Sequence, residues 1–175
     1  MSRTLTAIAA LALSVGGCTS VGRIPVAPLA SGLLQTGNGA SAGSVVLLAA
    51  GDDITLNVAV IGLPPGTHGV HLHTAGRCEA PGFASAGGHL NPHAMQHGTA
   101  NPAGSHLGDL PNLIVRSGGT GEITVKLRDS RATAMAALFD ADGTAIVIHA
   151  DPDDYRTDPS GNSGARIACA VLQRG

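Results

Sequence analysis

The chain has no tryptophan, one tyrosine and two phenylalanines among 175 residues. Its core must therefore be aliphatic, drawn from the Val, Leu, Ile and Ala that dominate a hydrophobic fraction of 43%. Lysine occurs once, at Lys126, and no basic run or interleaving of basic and aromatic residues accompanies it. With a formal charge of −2, this argues against nucleic acid as a partner. Cysteine is scarce as well, at three residues. What is plentiful is glycine, with 25 residues, and ten prolines join it. So many chain-turning residues favour an all-β domain over a helical one.

The apolar run 5-LTAIAALALSV-15 is too short to span a bilayer as a mature helix. Behind the basic Arg3 it reads as the apolar region of an export signal. It closes on 15-VGGC-18, small residues ending in cysteine, which resembles a bacterial lipoprotein box with Cys18 as the lipidated residue. The alternative is an ordinary secretory signal with an incidental cysteine. Residues 1–17 are thus expected to be removed, 18–29 to form a tether, and 30–175 to form the domain. Loss of Arg3 leaves nine Lys and Arg against twelve Asp and Glu, a mature charge near −3. Cys78 and Cys169 then remain as a pair in an oxidising compartment, where disulfides persist; two buried free thiols are the other possibility.

Short strands separated by turn signals follow. Segments 43–49 and 54–61 flank the turn 50-AGDD-53, and Ile54, Leu56, Val58 and Val60 alternate with Thr55 and Asn57. Segments 112–116 and 122–127 are expected to form a hairpin through 117-SGGTG-121. Residues 132–139 suit either a strand or a short helix; 144–150 and 166–172 read as strands. Two stretches have no period: 74–111 and 151–164. Unstructured loops of this length inside a domain are usually functional.

The histidines explain them. In 68-HGVHLH-73, His71 and His73 are spaced i, i+2 and share one face of a strand, with Val70 and Leu72 on the other. Two imidazoles on a rigid strand are half of a copper or zinc site. The first loop contains His89, His93, His97, His106 and Asp109, a donor set suited to zinc, whose binding energy can order a loop that lacks a core; a solvated polar loop with scattered histidines is the other reading of the loop alone. His149 ends the apolar run 145-AIVIH-149 and gains weight from this company.

The motifs 68-HGVHLH-73, 88-GHLNP-92, 96-QHG-98, 105-SHLGDLPN-112, 147-VIHA-150 and 161-GNSGARIACAV-171 together resemble the copper/zinc superoxide dismutases in their exported bacterial form, over about residues 30–173. The resemblance implies an all-β, eight-stranded Greek-key barrel or sandwich with two long functional loops. It implies copper on His71, His73, His89 and His149, and zinc on His89, His97, His106 and Asp109, with His89 shared. It further implies a Cys78–Cys169 disulfide, Arg166 over the copper, and Asp153 linking a copper histidine to a zinc histidine. His68 matches a structural histidine, and His93 matches no family role. The implied reaction is dismutation of superoxide to dioxygen and hydrogen peroxide, with His89 and Arg166 as catalytic residues.

The second loop departs from a strongly steering pattern. It carries Arg156 and no lysine beside Asp151, Asp153, Asp154 and Asp158, so attraction of the anion is expected to rest on copper and Arg166. The rival readings are an exported copper- and zinc-binding protein of the same fold without turnover, and an envelope protein stapled by zinc alone. The expected location is the periplasm or cell envelope, with membrane contact only through a lipidated Cys18, as a monomer or homodimer.

Overall fold

A computed structural model describes residues 28–175. The leader, Cys18 and all but the last two tether residues fall outside that range. Among the described residues, ten strands, one α-helix and one 3-10 turn (Ala84–Ala86) account for the regular structure: β1 (Pro28–Thr36), β2 (Ser41–Ala50), β3 (Asp53–Val60), β4 (Gly66–His68), β5 (Val70–His73), β6 (Leu113–Val115), β7 (Gly121–Lys126), α1 (Arg131–Leu138), β8 (Ala145–His149), β9 (Arg166–Val171) and β10 (Gln173–Arg174). Strand β1 opens at Pro28, two residues before the sequence-based boundary at Ala30.

Eight strands form one antiparallel sheet in the order β5-β8-β9-β1-β2-β3-β7, with β10 beside β1. The crossovers between β3 and β7, β5 and β8, and β9 and β1 give the expected Greek-key connectivity. Strands β4 and β6 form a two-stranded sheet that leads through Gly69 into β5 and through a turn into β7, the two ends of the large sheet. The curled sheet thereby approaches closure as a barrel.

The alternation in β3 is realised residue by residue: Ile54, Leu56, Val58 and Val60 are buried, and the residues between them are not. They join Leu34, Val45, Leu47, Val70, Leu72, Ile146 and Ile148 in a core made of aliphatic side chains. Burial of such surface is the main favourable contribution to folding.

Two local readings are corrected or resolved. β6 and β7 do not form a ladder with each other, although the Arg116 amide donates to the Thr120 carbonyl across the turn. β7 pairs instead with β3 over six positions, and β6 takes β4. Local turn chemistry fixed the reversal; long-range packing chose the partners. The ambiguous segment is helix α1, capped by Ser130, whose hydroxyl accepts from the Thr133 amide. Ala134 and Leu138, four apart, turn its buried side to the core.

The central observation for function is the placement of β5. It pairs with β8 on one side, His71 opposite Val147 and Leu72 opposite Ile146. On its other side it accepts the loop 74–111. Leu72 donates to Gly108 and accepts from Leu90, while Leu110 donates to Val70. Gly108 must be glycine, because a Cβ would meet the Leu72 carbonyl at 2.4 Å. The loop is thus docked as irregular strands against β5.

Candidate metal centre

The loop buries the face of β5 that carries its histidines, so Val70, His71, Leu72 and His73 are all buried. His71, His73, His89 and His149 each bring one ring nitrogen to within 4.8 Å of the others. The strands provide three of the four: His71 and His73 from β5, His149 from the end of β8. His89 comes from the loop and is bridged to His73 by a strand-like pairing.

Hydrogen bonds fix which nitrogen each ring offers. His73 donates through Nδ1 to the Gly87 carbonyl at 2.9 Å, and His149 through Nδ1 to the Gly164 carbonyl at 3.2 Å. His71 donates through Nε2 to Asp153 Oδ2 at 2.7 Å. That leaves His71 Nδ1, His73 Nε2, His149 Nε2 and His89 Nε2 buried, convergent and without hydrogen-bond partners. Buried polar atoms are rarely left so. Burial also pushes the pKa values of His73, His149 and His89 down to about 2, 3 and 4, and lowers that of His71. Four neutral imidazoles aimed at one point fit a transition-metal cation.

A second focus lies beyond His89. Asp109 Oδ2 accepts from the backbone amides of Gly98 and His106, at 2.8 and 3.0 Å. Its other oxygen, Oδ1, is 3.1 Å from His89 Nδ1, 3.0 Å from His97 Nδ1 and 3.1 Å from His106 Nδ1. His97 Nδ1 makes no hydrogen bond at that distance. Three nitrogens and one anchored carboxylate oxygen fit zinc. His71, His89, His97 and Asp109 also bring one donor atom each to within 4.8 Å of one another. His71 Nε2 is already engaged by Asp153, however, and its free nitrogen faces the first focus. His106 Nδ1, by contrast, faces the same Asp109 oxygen as His97 Nδ1.

Asp153 ties the two foci together. Its Oδ2 receives His71 and its Oδ1 receives His97 Nε2 at 2.9 Å. Burial works against the charge on Asp153 and Asp109, but the facing imidazoles and backbone amides overcome it and hold both pKa values well below the carboxylate range. Burial likewise disfavours a charge on His97, yet these two carboxylates raise its pKa to about 9.

Arg166 opens β9 directly opposite His149 in the β8–β9 pairing, where a register shift interrupts the ladder. Its guanidinium donates to the carbonyls of Phe83 and Gly87, at 2.7 and 2.6 Å. It lines an open cleft of about 460 Å3 with His73, His89, His106 and His149. Cys78 and Cys169 are joined in a disulfide with a Cα separation of 5.7 Å, pinning the start of the loop to β9. His68 stands apart: its ring nitrogens reach the carbonyls of His149 and Pro64 at 2.8 and 2.9 Å. His93, which had no assignable role, pairs with Asp129 at 2.8 Å on the surface.

The supporting residues were harder to foresee. Asn112 donates to the Asp153 carbonyl and accepts from the Asp153 amide, a reciprocal pair across 41 residues of sequence. Tyr155, with a left-handed φ of 62°, donates its amide to Asp153 Oδ1 and accepts the Asn112 amide on its hydroxyl. Asp158 accepts the His97 amide at 2.6 Å. At Gly161 an added Cβ would stand 1.9 Å from Asp153 Oδ1 and 2.6 Å from His97 Nε2. Its motif, 161-GNSG-164, was the one visible sign of this crowding.

Comparison with known proteins agrees with this geometry. Residues 41–172 match the family model described as copper/zinc superoxide dismutase. The chain is 41% identical over 148 residues to a protein of Caulobacter vibrioides named superoxide dismutase [Cu-Zn], covering 82% of this chain and 85% of that one. Among solved structures, a superoxide dismutase-like protein from Bacillus subtilis aligns with a TM-score of 0.78 and 36% identity, over 84% of this chain and 100% of that one. A Cu/Zn superoxide dismutase from Brucella abortus aligns with a TM-score of 0.64 and 28% identity, over 82% and 98%.

Proposed function

The chain belongs to the copper/zinc superoxide dismutase family, and from that membership we propose that its buried histidine cluster dismutes superoxide, two anions and two protons giving dioxygen and hydrogen peroxide. The observation that carries the proposal is the set of convergent, unpartnered ring nitrogens, with His89 presenting one nitrogen to each focus. Copper would be held by His71, His73, His89 and His149, and zinc by His89, His97, His106 and Asp109. Bound there, copper supplies the alternating one-electron oxidation and reduction of superoxide, and zinc supplies a fixed charge without redox change.

The remaining work falls to the chain. Arg166 binds the anion at the cleft floor by charge-assisted hydrogen bonds. Its two carbonyl contacts hold the guanidinium beside His149 rather than leaving it to swing in solvent. His89 Nε2, the nitrogen facing the first focus, would carry the proton that the second superoxide takes up only while it is not holding copper. Asp153 orients His71 and His97 and keeps the two foci in register. In the second loop Asp154 is occupied by the Arg156 and Thr157 amides, and Asp158 by the His97 amide. No cation of that loop faces the cleft among the lining residues, so steering rests on the metal charge and Arg166.

The Bacillus subtilis structure is described as that of a superoxide dismutase-like protein, which favours a second reading: a metal-binding protein of this fold without turnover. Metal stoichiometry and dismutase activity of the purified mature protein separate the two. One copper and one zinc per chain with rapid turnover is the expected result; full metal content without turnover would sink the enzymatic reading. The leader at residues 1–17, the lipid on Cys18 and residence in the cell envelope belong to the same proposal. Replacing Cys18 with Ala should release the protein from the membrane fraction.

A further inference from the structure

Arg166 is gripped by a segment that is neither strand nor loop of ordinary character. Residues Ala84–Ala86 form a single 3-10 turn between Phe83 and Gly87, the two residues whose carbonyls accept from the guanidinium. The Gly87 carbonyl is shared, since it also accepts from His73 Nδ1. One turn thereby sets the anion anchor and the tautomer of a histidine in the first focus. The turn is tied to the end of β5 by Ala75 donating to Ala86 and Thr74 donating to Gly88.

What holds the turn in place from behind is Phe83. Its backbone is left-handed, with φ of 54° and ψ of 26°, a conformation that a bulky L-residue adopts only when its surroundings impose it. Its ring is 2% exposed and is among the largest fully buried side chains of the protein. It lies in a small cluster separate from the main core, whose other members are Ala86, Ala145, Val147, Cys169 and the partly buried Cys78. All of them are smaller than the ring, so nothing nearby can fill the space it occupies. The left-handed bend lets the side chain sink among β8, β9 and the disulfide while the carbonyl of the same residue points to Arg166.

We infer that Phe83 is a positioning residue for superoxide binding, its buried ring fixing the turn whose carbonyls aim Arg166. This rests on the reading of Arg166 as the anion's anchor. A ring that only filled core would affect stability and leave anion affinity alone. A ring that aims the guanidinium must affect anion affinity, and only while Arg166 is present.

The test is a double-mutant cycle on the copper- and zinc-loaded protein, with Phe83→Ala, Arg166→Ala and the pair. It reads kcat/KM for superoxide and, independently of turnover, the affinity for azide by optical titration. Arg166→Ala should lower both by about tenfold or more. Phe83→Ala should lower both by about five- to tenfold with metal content and disulfide unchanged, and should add nothing in the Arg166→Ala background. Phe83→Leu, which keeps most of the apolar volume, should lose about threefold or less and carries the same cycle if the alanine variant does not fold. Wild-type azide affinity in the Phe83 variants, or an equal loss with and without Arg166, would overturn the inference while leaving Arg166's role intact. No effect of Arg166→Ala would overturn the reading of Arg166 and the inference with it.

Discussion

The two foci that meet at His89 are built on different principles. The first takes His71, His73 and His149 from paired strands, and two of these three are oriented by backbone carbonyls. The second takes His97, His106 and Asp109 from a loop without strands, where the Asp153 carboxylate orients His97 and the amides of Gly98 and His106 fix Asp109. Burial decides the charge state in the first: its rings are neutral. Ion pairing decides it in the second, where His97 is raised and Asp109 lowered. A strand can present neutral ligands without help, because its backbone is already fixed. A loop needs electrostatic ties, and its order and its ligand geometry are the same property.

This contrast can be broken from either side. The largest expected effect is from His73→Ala, which removes a ligand that the strand presents without metal. Turnover should fall to background, copper content should drop below one per chain, and zinc content should stay near one, as read by elemental analysis. Loss of zinc in that variant would show that the strand side does not stand alone.

Asp109→Asn should act on order as much as on binding. Two backbone amides would lose their anionic acceptor, and zinc affinity should fall by about 10²-fold or more. The thermal midpoint of the metal-loaded protein should fall by about 5–10 °C, since bound metal stabilises the folded chain by mass action. An unchanged midpoint would mean that the loop is ordered by its docking on β5 alone.

Asp153→Asn strikes the link itself. An amide can accept from only one of His71 and His97, so affinity should fall by about 10- to 100-fold at one site and much less at the other. Competitive titration with a chelator for each metal would measure it. Equal losses at both sites would show a shared loosening rather than a choice between partners.

The smallest effect is a pH dependence of the metal-free chain. His73, His149 and His89 sit at about 2, 3 and 4 when folded and at the ordinary 6.5 when unfolded. Below pH 6.5 the unfolded chain binds protons that the folded chain refuses, so stability falls as acid is added. His97 works in the opposite sense: the stability it confers is present below 6.5 and fades as pH rises through about 9. Urea midpoints should therefore peak near 6.5, and metal loading should flatten the acid side less than the alkaline side. A midpoint that rises steadily into acid would contradict the neutral state of the first focus.

How far the sequence carries this picture depends on the range of the forces involved. The pairing of His71 with His73 was legible because strand period is a local property. The sequence also marked 74–111 and 151–164 as too long to lack a purpose. It did not show that the loop would bury the histidine face, which makes β5 buried on both sides. Nor did it show Asn112 clasping Asp153 or Tyr155 bending to reach it, since each bond joins residues whose meeting depends on the finished fold. The misjudged hairpin at 117–121 has the same origin. Turn residues announce a reversal, but the partner of β7 is chosen by β3, whose paired positions lie 61 to 71 residues earlier.

The Cys78–Cys169 bridge spans 91 positions of the chain. It therefore sets a clock on assembly. A chain emerging from its N-terminus exposes His89, His97, His106 and Asp109 well before His149, and the bridge cannot close until Cys169 is out. The donors of the second focus are all out by Asp109, whereas the first focus stays one donor short until His149. The order in which the two foci can be completed is thus written into the order of the chain.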